Sequence, residues 1–486
     1  MPAKYHIDSK RVPPRFRPVG ELGIVDWRED CAGCHNCVKR GCVYGFFRDE
    51  ARTLHDQVGY LDYIYQCKGC LSCVQNCTKG ILERVVNPEY ERLGDAYYTP
   101  EIVLSTWYQA ETGAIPVSGA GYGGPFSGQG FDSMWTDMSE IVRPTRDGIH
   151  GREYINTSVD IGRKPGHLVL KDGRPVPAPT LVESPLPLLL DVIPERFQRG
   201  VVLEAVAQAA AALGTFAVVR AEDLPRVAHN EARNAHGAET HAEEHSAHSP
   251  ARSALAPLLL DPQADATVFP DETALVMVPD SKEAGATAAR LKRHDPELVV
   301  AIRMPATPKS AQRVLDLARD GAEAVHLVFD AHGREQTAGR SRHARDVLRE
   351  VHGALVKAGI RDEITLIASG GIALPEHMAK AIICGADLVA VDLPLIVALE
   401  CRLCGGCERD ERCPVRLEDA TLGPSVQRIV NLIGAWRNQL LEMLGAMGIR
   451  EVRRLRGETG RSMFFEDLER ATFGRLFGRR KQEFGA

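Results

Sequence analysis

The chain has 486 residues, which is enough for two or three domains of about 100 to 200 residues each. It is 44% hydrophobic and 26% charged with a formal net charge of -6, so it reads as an ordinary globular protein without the basic excess of a nucleic-acid binder. The N-terminus lacks an apolar leader core and no run approaches the ~18 apolar residues of a membrane span, so we expect a cytoplasmic protein with no membrane span.

Two cysteine runs come first in the chain and predict an α+β, ferredoxin-like 2[4Fe-4S] domain over residues 1–95. With 13 cysteines and no export signal, metal ligation is favoured over disulfides, because reducing cytosol keeps thiols free. The second run has the C-x2-C-x2-C-x3-C spacing of two-cluster ferredoxins, in which the fourth cysteine ligates the other cluster. The two predicted ligand sets are Cys31, Cys34, Cys37 and Cys77 for one cluster, and Cys67, Cys70, Cys73 and Cys42 for the other.

This N-terminal pattern departs from the ferredoxin spacing in two places. The first run has one residue more before its last cysteine, which a loop at Gly41 would absorb, and Thr78 stands where proline usually follows. Structural zinc is the alternative, since C-x2-C pairs also form zinc sites. Zinc takes four ligands, however, and would leave the cysteine triplets without a use.

Residues 96–400 are predicted to form a (β/α)8 barrel. Short apolar runs rich in β-formers alternate with helical segments such as 343–359 and 375–386, and many consecutive βα units favour a closed barrel of parallel strands. An open doubly wound sheet is the alternative. The predicted strands lie at 114–118, 215–219, 274–279, 298–304, 324–330, 364–371 and 387–394.

One segment interrupts the barrel pattern. Residues 229–249 are rich in Ala, Glu and His without apolar periodicity, which predicts a disordered surface insertion. The alternative is metal binding by its histidines, but their irregular spacing favours adventitious affinity only. These histidines are His229, His236, His241, His245 and His248.

Glycine-rich turns at strand ends predict a flavin site in the barrel. A relay of one-electron clusters needs a two-electron partner, and flavin is the usual converter. The turn at Ser369, Gly370 and Gly371, followed by Gly385 to Asp392, matches the phosphate site after strands 7 and 8 of many barrels. Earlier, PVSGAGYGGPFS at 116–127 offers backbone that can lie against a planar ring, with unliganded turn glycines as the alternative. Its candidate contacts are Ser118, Gly119, Ala120 and Gly121.

Charged residues at predicted strand ends supply the catalytic candidates Arg303, Asp330 and His332. Arg303 would point a fixed positive charge into the mouth and stabilise anionic reduced flavin near N1, with a surface salt bridge as the alternative. The loop that begins DAHGREQ would bind an anionic substrate or form a solvated face. Its charged residues are Asp330, His332, Arg334, Arg340 and Arg342.

A third cysteine group follows the barrel in the region 401–486. CRLCGGCERDERCP suits a [4Fe-4S] cluster held by all four of its cysteines, whereas three of them, with five residues between each pair, would suit [3Fe-4S]. The four cysteines are Cys401, Cys404, Cys407 and Cys413, and the set of three leaves out Cys404. Beyond residue 424 the apolar spacing predicts C-terminal helices packed on the barrel. Cys384 lies in a helical run and is predicted to be a small buried hydrophobe.

Several of these motifs together resemble one family. PVSGAGYGGPFS, ASGGI, GADLVAVDLPLIVALEC before a cysteine group ending CP, and GIREVRRLRGETGRSMFF resemble the FMN-binding synthase domain of glutamate synthase. The two-cluster module ahead of the barrel resembles its short, archaeal-type members. The resemblance implies that FMN contacts Ser118 to Ala120, Arg303, Ser369 to Gly371 and the strand from Ala390 to Asp392, close to the third cluster. It also implies hydride transfer from reduced FMN to 2-iminoglutarate, formed from 2-oxoglutarate and ammonia.

The sequence also departs from that family. It begins Met1-Pro2 rather than with a glutaminase cysteine, so ammonia would come from a separate subunit or from solution. No GxGxxG follows a strand, so a partner, either a ferredoxin or an NAD(P)H-oxidising flavoprotein subunit, would donate electrons within a hetero-oligomer. The K-P-G-E-G-G and D-G-G-T-G-A substrate segments are not visible, and DAHGREQ replaces the second. The alternatives to a glutamate-forming oxidoreductase are an electron-transfer subunit of a larger redox complex and a phosphate-binding barrel without flavin.

Overall fold

The structure is a computed structural model in which many of the sequence-predicted sites can be located. It describes residues 5–16, 19, 24–27, 34, 36, 40–41, 71–85, 88–115, 130–136, 154–166, 170–171, 174–175, 179–227, 254–260, 269–270, 272–339, 341–409, 411–472 and 474. Some predicted features lie outside these residues. They are Cys31, Cys37, Cys42, Cys67, Cys70, Ser118, Gly119, Ala120, Gly121, Arg340 and the insertion 229–249.

Short elements precede the barrel. Strands β1 and β2 pair antiparallel and flank the N-terminal cysteine runs, and the later pairs β4 with β7 and β5 with β6 are also antiparallel. The strands are β1 Ile24–Trp27, β2 Leu82–Val85, β3 Met134–Thr136, β4 Val159–Ile161, β5 Leu170–Lys171, β6 Arg174–Pro175 and β7 Val182–Ser184. The helices are α1 Ser72–Gln75, α2 Pro88–Glu91 and α3 Pro100–Thr112. The ferredoxin-like domain itself stays a prediction.

Eight parallel strands close into a barrel, as the βα alternation predicts. Each pairs with the next in chain order, and the last pairs with the first, so the open-sheet alternative is excluded. The strands are almost wholly buried apolar runs, as expected for parallel strands covered by helices. They are β8 Leu188–Leu190, β9 Ala217–Arg220, β10 Leu255–Leu258, β11 Leu275–Pro279, β12 Val299–Pro305, β13 Ala324–Val328, β14 Thr365–Ser369 and β15 Leu388–Val391.

The start of the barrel differs from the sequence prediction. The predicted strand at 114–118, of which 116–118 lie outside the described residues, is not among the eight strands of the closed barrel, because the first of these begins at Leu188. Two strands, β8 and β10, are absent from the predicted series. β8 has three residues after a proline, and β10 contains Pro257, so neither shows the β-branched run by which a strand is recognised.

Helices cover the barrel where the sequence predicts them. The amphipathic runs at 343–359 and 375–386 form α7 and α8, and each presents an apolar face to the strands. The helices are α4 Val202–Leu213, α5 Ala284–His294, α6 Ser310–Arg319, α7 Ala344–Lys357, α8 Pro375–Ile383, α9 Leu393–Ala398, α10 Leu422–Ala446 and α11 Phe465–Thr472. A last strand, β16 Ser462–Phe464, pairs antiparallel with β3.

The long helix α10 packs against α3 and α4 on the outside of the barrel, as predicted for the tail. The fully buried Asn431 on this helix donates to the carbonyls of Lys10 and Ala110 and accepts the N–H of Lys10. Residues 5–16 are thereby fixed along α10. None of the helices within the described ranges combines the length and the hydrophobicity that crossing a lipid bilayer requires.

Candidate flavin and iron-sulfur site

The carboxyl-terminal ends of the barrel strands and the loops after them carry most of the predicted flavin-binding and catalytic residues. β14 and β15 are the seventh and eighth barrel strands in chain order, so the glycine turn lies at the position that the sequence predicts. In the sheet register Ser369, the last residue of β14, stands beside Val328 on one side and Ala390 on the other. Ser369 and Ala390 are therefore neighbours at one edge of the barrel mouth.

The turn after β14 accommodates only glycine at positions 370 and 371. Gly370 and Gly371 have φ of 94° and 70°, in the left-handed region. A Cβ atom on Gly370 would lie 2.5 Å from the carbonyl oxygen of Asp330, and one on Gly371 would lie 2.4 Å from Gly333 Cα. The turn is thus pressed, backbone to backbone, against the loop that follows β13.

Three consecutive N–H groups in this turn have no acceptor in the part of the chain that the structure describes. Among the described residues, the N–H groups of Gly370, Gly371 and Ile372 donate no hydrogen bond, whereas Ala373 N–H donates to His377 Nδ1 at 3.2 Å. The hydroxyl of Tyr97 donates to the carbonyl of Gly371 at 2.6 Å and so holds the turn in place. A run of unpaired N–H groups at the end of a strand is the arrangement that binds phosphate oxygens.

Arg303 lies on β12 and is paired within the barrel rather than at the surface. Its guanidinium donates to both carboxylate oxygens of Asp191, at 2.6 and 3.2 Å. Asp191 follows directly after β8 and is almost completely buried. Burial raises the pKa of the Asp191 carboxyl, but Arg303, followed by His326, outweighs it and holds that pKa at about 2. The predicted charge of Arg303 is therefore opposed by an ionised carboxylate.

His326 connects Arg303 to the glycine turn. Its Nδ1 lies 3.0 Å from Arg303 Nη1, and its Nε2 lies 2.9 Å from Ser369 Oγ. Because a guanidinium can only donate, Nδ1 accepts, so Nε2 carries the proton and donates to Ser369. Complete burial, reinforced by Arg303, lowers the pKa of His326 to about 3, which keeps the ring neutral. The hydroxyl proton of Ser369 is left free to donate toward the mouth.

Asp392 is a second carboxylate at the mouth. It follows β15 and precedes α9, which leads into the third cysteine group. Burial raises its pKa to about 6, and the negative charge of Asp191 adds to this shift. This side chain therefore titrates near neutral pH, unlike Asp191.

Asp330 and His332 lie on the loop after β13, against the glycine turn. Asp330 Oδ1 accepts the N–H groups of His332 and Arg334, at 2.9 and 2.8 Å, and so shapes the loop. His332 Nε2 bonds Asp95 Oδ2 at 2.9 Å, and its ring stacks on Tyr97 with centroids 5.4 Å apart. Both candidates thus have structural partners beside the phosphate turn.

One of the remaining cations of this loop, Arg342, is neutralised by carboxylates. Arg342 pairs with the buried Glu335 at 2.7 Å and also with Glu350. Within the described residues, Arg334 is the loop cation without a carboxylate inside 4 Å. The loop therefore offers less positive charge to an anionic substrate than its sequence indicates.

Segment 130–136 is fixed beside the same turn by side chains of α8. Asp132 Oδ1 accepts from His377 Nε2 at 2.9 Å, and Lys380 donates to the carbonyl of Phe131 at 2.8 Å. His343, the N-cap residue of α7, packs edge-on against the Phe131 ring. The chain is thereby fixed directly after the glycine-rich segment 116–127.

The third cysteine group lies partly in the core. Cys401 is buried and its Sγ accepts the N–H of Leu403 at 3.5 Å, while the other three thiols are partly exposed. Burial raises the pKa of the Cys401 thiol to about 12, and the neighbouring thiols add to the shift. Within the described ranges no three metal-binding side chains converge on a point that suits one metal ion. A cubane instead takes its ligands at four separate corners.

Backbone strain marks the cysteine segments. Four non-glycine residues in the described part of the chain have positive φ, and each lies within or next to a cysteine run. Such conformations cost of order 1 to 3 kcal/mol and persist where the surroundings impose them. They are Leu71, Glu400, Leu403 and Arg416.

The third cysteine group also contacts the end of the predicted ferredoxin-like region. Gly94 N–H donates to the carbonyl of Arg402 at 2.9 Å, and Arg402 pairs with Glu89 at 3.3 Å. Glu400 accepts both the backbone N–H and the guanidinium of Arg15, at 2.6 and 2.7 Å. N-terminal residues therefore hold the segment on which the third cluster is predicted.

Sequence reasoning missed the side chains that join these parts. Asp191 and His326 carry the link from Arg303 to Ser369, and Asp95 holds His332. The signal for Asp191 is an acidic residue directly after the apolar run LPLLL. His326 lies inside a predicted strand, where a lone polar residue indicates an inward-facing partner.

Comparisons with known proteins bear on this arrangement. A family profile described as the conserved region in glutamate synthase matches residues 344–450, which include the glycine turn and the third cysteine group. The archaeal-type glutamate synthase [NADPH] of Thermotoga neapolitana is 26% identical over 92% of this chain and 94% of its own length. The chain is similar to archaeal-type glutamate synthases over most of its length. The resemblance predicted from the motifs is thereby confirmed.

Other glutamate synthase relatives match a shorter part of this chain. The archaeal glutamate synthase [NADPH] of Methanocaldococcus jannaschii is 40% identical over 118 residues, and that of Archaeoglobus fulgidus is 35% identical over 128 residues. These matches span 22% and 24% of the length of those relatives.

Solved structures resemble the chain only distantly. A mandelate oxidase mutant with a monooxide FMN adduct has a TM-score of 0.40 at 16% identity, over 76% of this chain and 93% of that one. A mutant flavocytochrome b2 with pyruvate bound has a TM-score of 0.36 at 11% identity, over 68% of this chain and 76% of that one. The barrel assignment therefore rests on the strand pairing described above.

Proposed function

We propose that the chain is an FMN-dependent iron-sulfur oxidoreductase of the glutamate synthase type. The row of unpaired N–H groups from Gly370 to Ile372, at the end of the seventh barrel strand, carries the proposal because a phosphate group would satisfy all three. Gly370 and Gly371 have left-handed backbone conformations, and a Cβ atom on either would clash with the loop after β13. A ligand in the cradle would therefore meet backbone N–H groups rather than side chains. The relationship to glutamate synthases supports FMN as the phosphate-bearing group.

The chain's own residues would hold the cofactors as follows. The phosphate would bind the turn from Gly370 to Ile372, and the segment Ser118 to Gly121 and Arg303 would lie toward the ring. FMN would supply the conversion between one-electron and two-electron transfer. Three clusters would be held by the twelve cysteines outside Cys384, with the third beside the barrel mouth.

The reaction in this proposal forms glutamate from 2-oxoglutarate and ammonia. Electrons would come from a donor protein, a ferredoxin or an NAD(P)H-oxidising subunit, and ammonia from a separate glutaminase subunit or from solution. Arg334, which has no carboxylate within 4 Å among the described residues, would be the loop cation that pairs with a substrate carboxylate.

A direct assay tests this function. The full-length protein, purified anaerobically, is expected to release FMN on acid treatment. After reduction by dithionite and removal of excess reductant, adding 2-oxoglutarate and ammonium should reoxidise the flavin and yield at least one glutamate per flavin, because reduced clusters would supply further electrons. Omitting ammonium serves as the control and should yield none. Protein without flavin would contradict the proposal at its first step.

One observation favours a second candidate, an electron-transfer subunit of a larger redox complex. Two groups of the mouth loop, His332 and Arg342, are paired with carboxylates, which weakens the attraction of the loop for a dianionic substrate. In that case the reduced protein would hold FMN and iron but yield no glutamate, and the flavin would be reoxidised only by a partner protein.

A further inference from the structure

The pairing of Arg303 within the barrel bears on the cofactor that the mouth would hold. The bidentate geometry, 2.6 and 3.2 Å to the two oxygens of Asp191, uses both terminal nitrogens of the guanidinium. The Arg303 side chain is 16% exposed and that of Asp191 is 4% exposed, so water screens this pair weakly. The pair is therefore a persistent structural unit of the mouth.

No other described group in direct hydrogen-bond contact changes the charge of this unit. His326 accepts from Arg303 through Nδ1 and donates to Ser369 through Nε2, and its burial keeps it neutral. The ring therefore positions Arg303 without adding charge. Asp191 and Arg303 together contribute a net charge of about zero, although a lone arginine would contribute a full positive charge.

We propose that Asp191 is a positioning residue that sets the reduction potential of the bound flavin by neutralising Arg303. The inference rests on the proposed function, since it requires FMN in this mouth. A cation beside the flavin stabilises the reduced, anionic cofactor relative to the oxidised one. A carboxylate paired with that cation weakens this stabilisation. Asp191 thus keeps the flavin potential lower than Arg303 alone would make it.

Opposite charge changes test the inference with a readout other than turnover. The midpoint potential of bound FMN is measured by anaerobic titration at pH 8, where carboxylates are ionised. Asp191→Asn should raise the potential and change the ratio of the dissociation constants of oxidised and reduced FMN at least tenfold. For a two-electron couple a tenfold change corresponds to about 30 mV. Arg303→Gln should lower the potential, and the double variant should return close to wild type.

Controls separate this effect from a loss of stability. Asp387 precedes β15 at the opposite end of the barrel and pairs with Arg361 and Arg456, at 2.9 and 2.7 Å. Asp387→Asn should destabilise the fold without moving the potential. If Asp191→Asn alone does not fold, adding it to Arg303→Gln must still raise the potential relative to Arg303→Gln.

The outcomes distinguish the two proposals. A wild-type protein that holds no flavin would overturn both the function and this inference. A wild-type protein that holds FMN, with shifts absent or of the same sign in both single variants, would overturn the role of Asp191 and leave the function standing.

Discussion

Side chains at the barrel mouth have pKa values shifted by their hydrogen-bond partners. The hydrogen bond to Asp95 raises the pKa of His332. Burial raises the pKa of Asp95, but the bond from His332 and the N–H groups of Tyr98 and Tyr97 outweigh it and hold that pKa at about 2. Both side chains are nearly half exposed, so the pair is an exposed ion pair of modest strength.

The pH dependence of this pair is testable with Asp95→Asn, which keeps the oxygen that accepts the N–H groups of Tyr97 and Tyr98. The raised pKa of His332 means that its contribution is complete below about 6.5, the pKa in the unfolded chain, and is lost as pH rises through the folded value. We expect the variant to lose about 0.2 to 1 kcal/mol of unfolding free energy at pH 5.5 and nothing at pH 9. Urea unfolding at both pH values measures this.

His332→Gln is the matched control for this ion pair. It should show the same loss at pH 5.5, and combining it with Asp95→Asn should add nothing. An equal loss at both pH values would instead assign the effect of Asp95 to the turn that it caps.

At the scale of elements, the mouth is built by two loops that pack backbone against backbone. The turn after β14 and the loop after β13 approach so closely that a Cβ atom on Gly371 would clash with the backbone of Gly333. Phe329 N–H donates to the carbonyl of Ser369 at 2.8 Å, which continues the sheet register up to the turn. The conformation of the proposed phosphate cradle is therefore determined by loop packing as well as by its own glycines.

Alanine substitution at two glycines separates loop contact from backbone strain. Gly371 and Gly359 have nearly the same φ, 70° and 71°, but a Cβ atom on Gly359 would meet nothing within 4 Å. Gly359→Ala should cost about 1 to 2 kcal/mol from strain alone. Gly371→Ala should cost about 1 to 3 kcal/mol more and abolish FMN retention, because the loops must separate.

Thermal unfolding and flavin content of the purified variants measure these effects. Equal stability losses in the two variants would show that the turn is not in contact with the loop. Retention of FMN by Gly371→Ala would show that the cradle is not the phosphate-binding site.

At the scale of the whole molecule, the N-terminal and C-terminal parts hold each other beside the barrel. Arg15 bonds Glu400, which precedes Cys401, and Arg11 bonds the fully buried Glu111 on α3 at 2.7 Å. Gly94 bonds Arg402 within the third cysteine group. These contacts fix the cysteine segment relative to the barrel mouth, as the proposed transfer of electrons between the third cluster and FMN would require.

Iron content tests the cluster assignment of the whole chain. Anaerobically purified protein should contain about twelve irons if three cubanes are present, about eleven if the third cluster has three irons, and about eight if Cys401 to Cys413 hold none. Replacing Cys401 by Ser should remove about four irons. Cys384, which is completely buried beside Met134, provides the control, and Cys384→Ala should leave iron unchanged.

The cysteine spacing, the βα alternation and the glycine turn could be recognised in the sequence because each follows a local rule. Three thiolates two residues apart suit a cubane corner, apolar periodicity predicts strand or helix, and a positive φ demands glycine. These rules involve residues close together in the chain. The barrel, the helical tail and the turn after the seventh strand were predictable for that reason.

Only the tertiary structure decided which side chains meet. The contact between Asp191 and Arg303 joins residues 112 positions apart, and the bond between Asp95 and His332 spans 237 positions. No local pattern encodes such pairs, because they arise when strands that are distant in sequence close into a barrel. The sequence by itself determined the kinds of site on this protein, and the closing of the barrel determined which charges those sites contain.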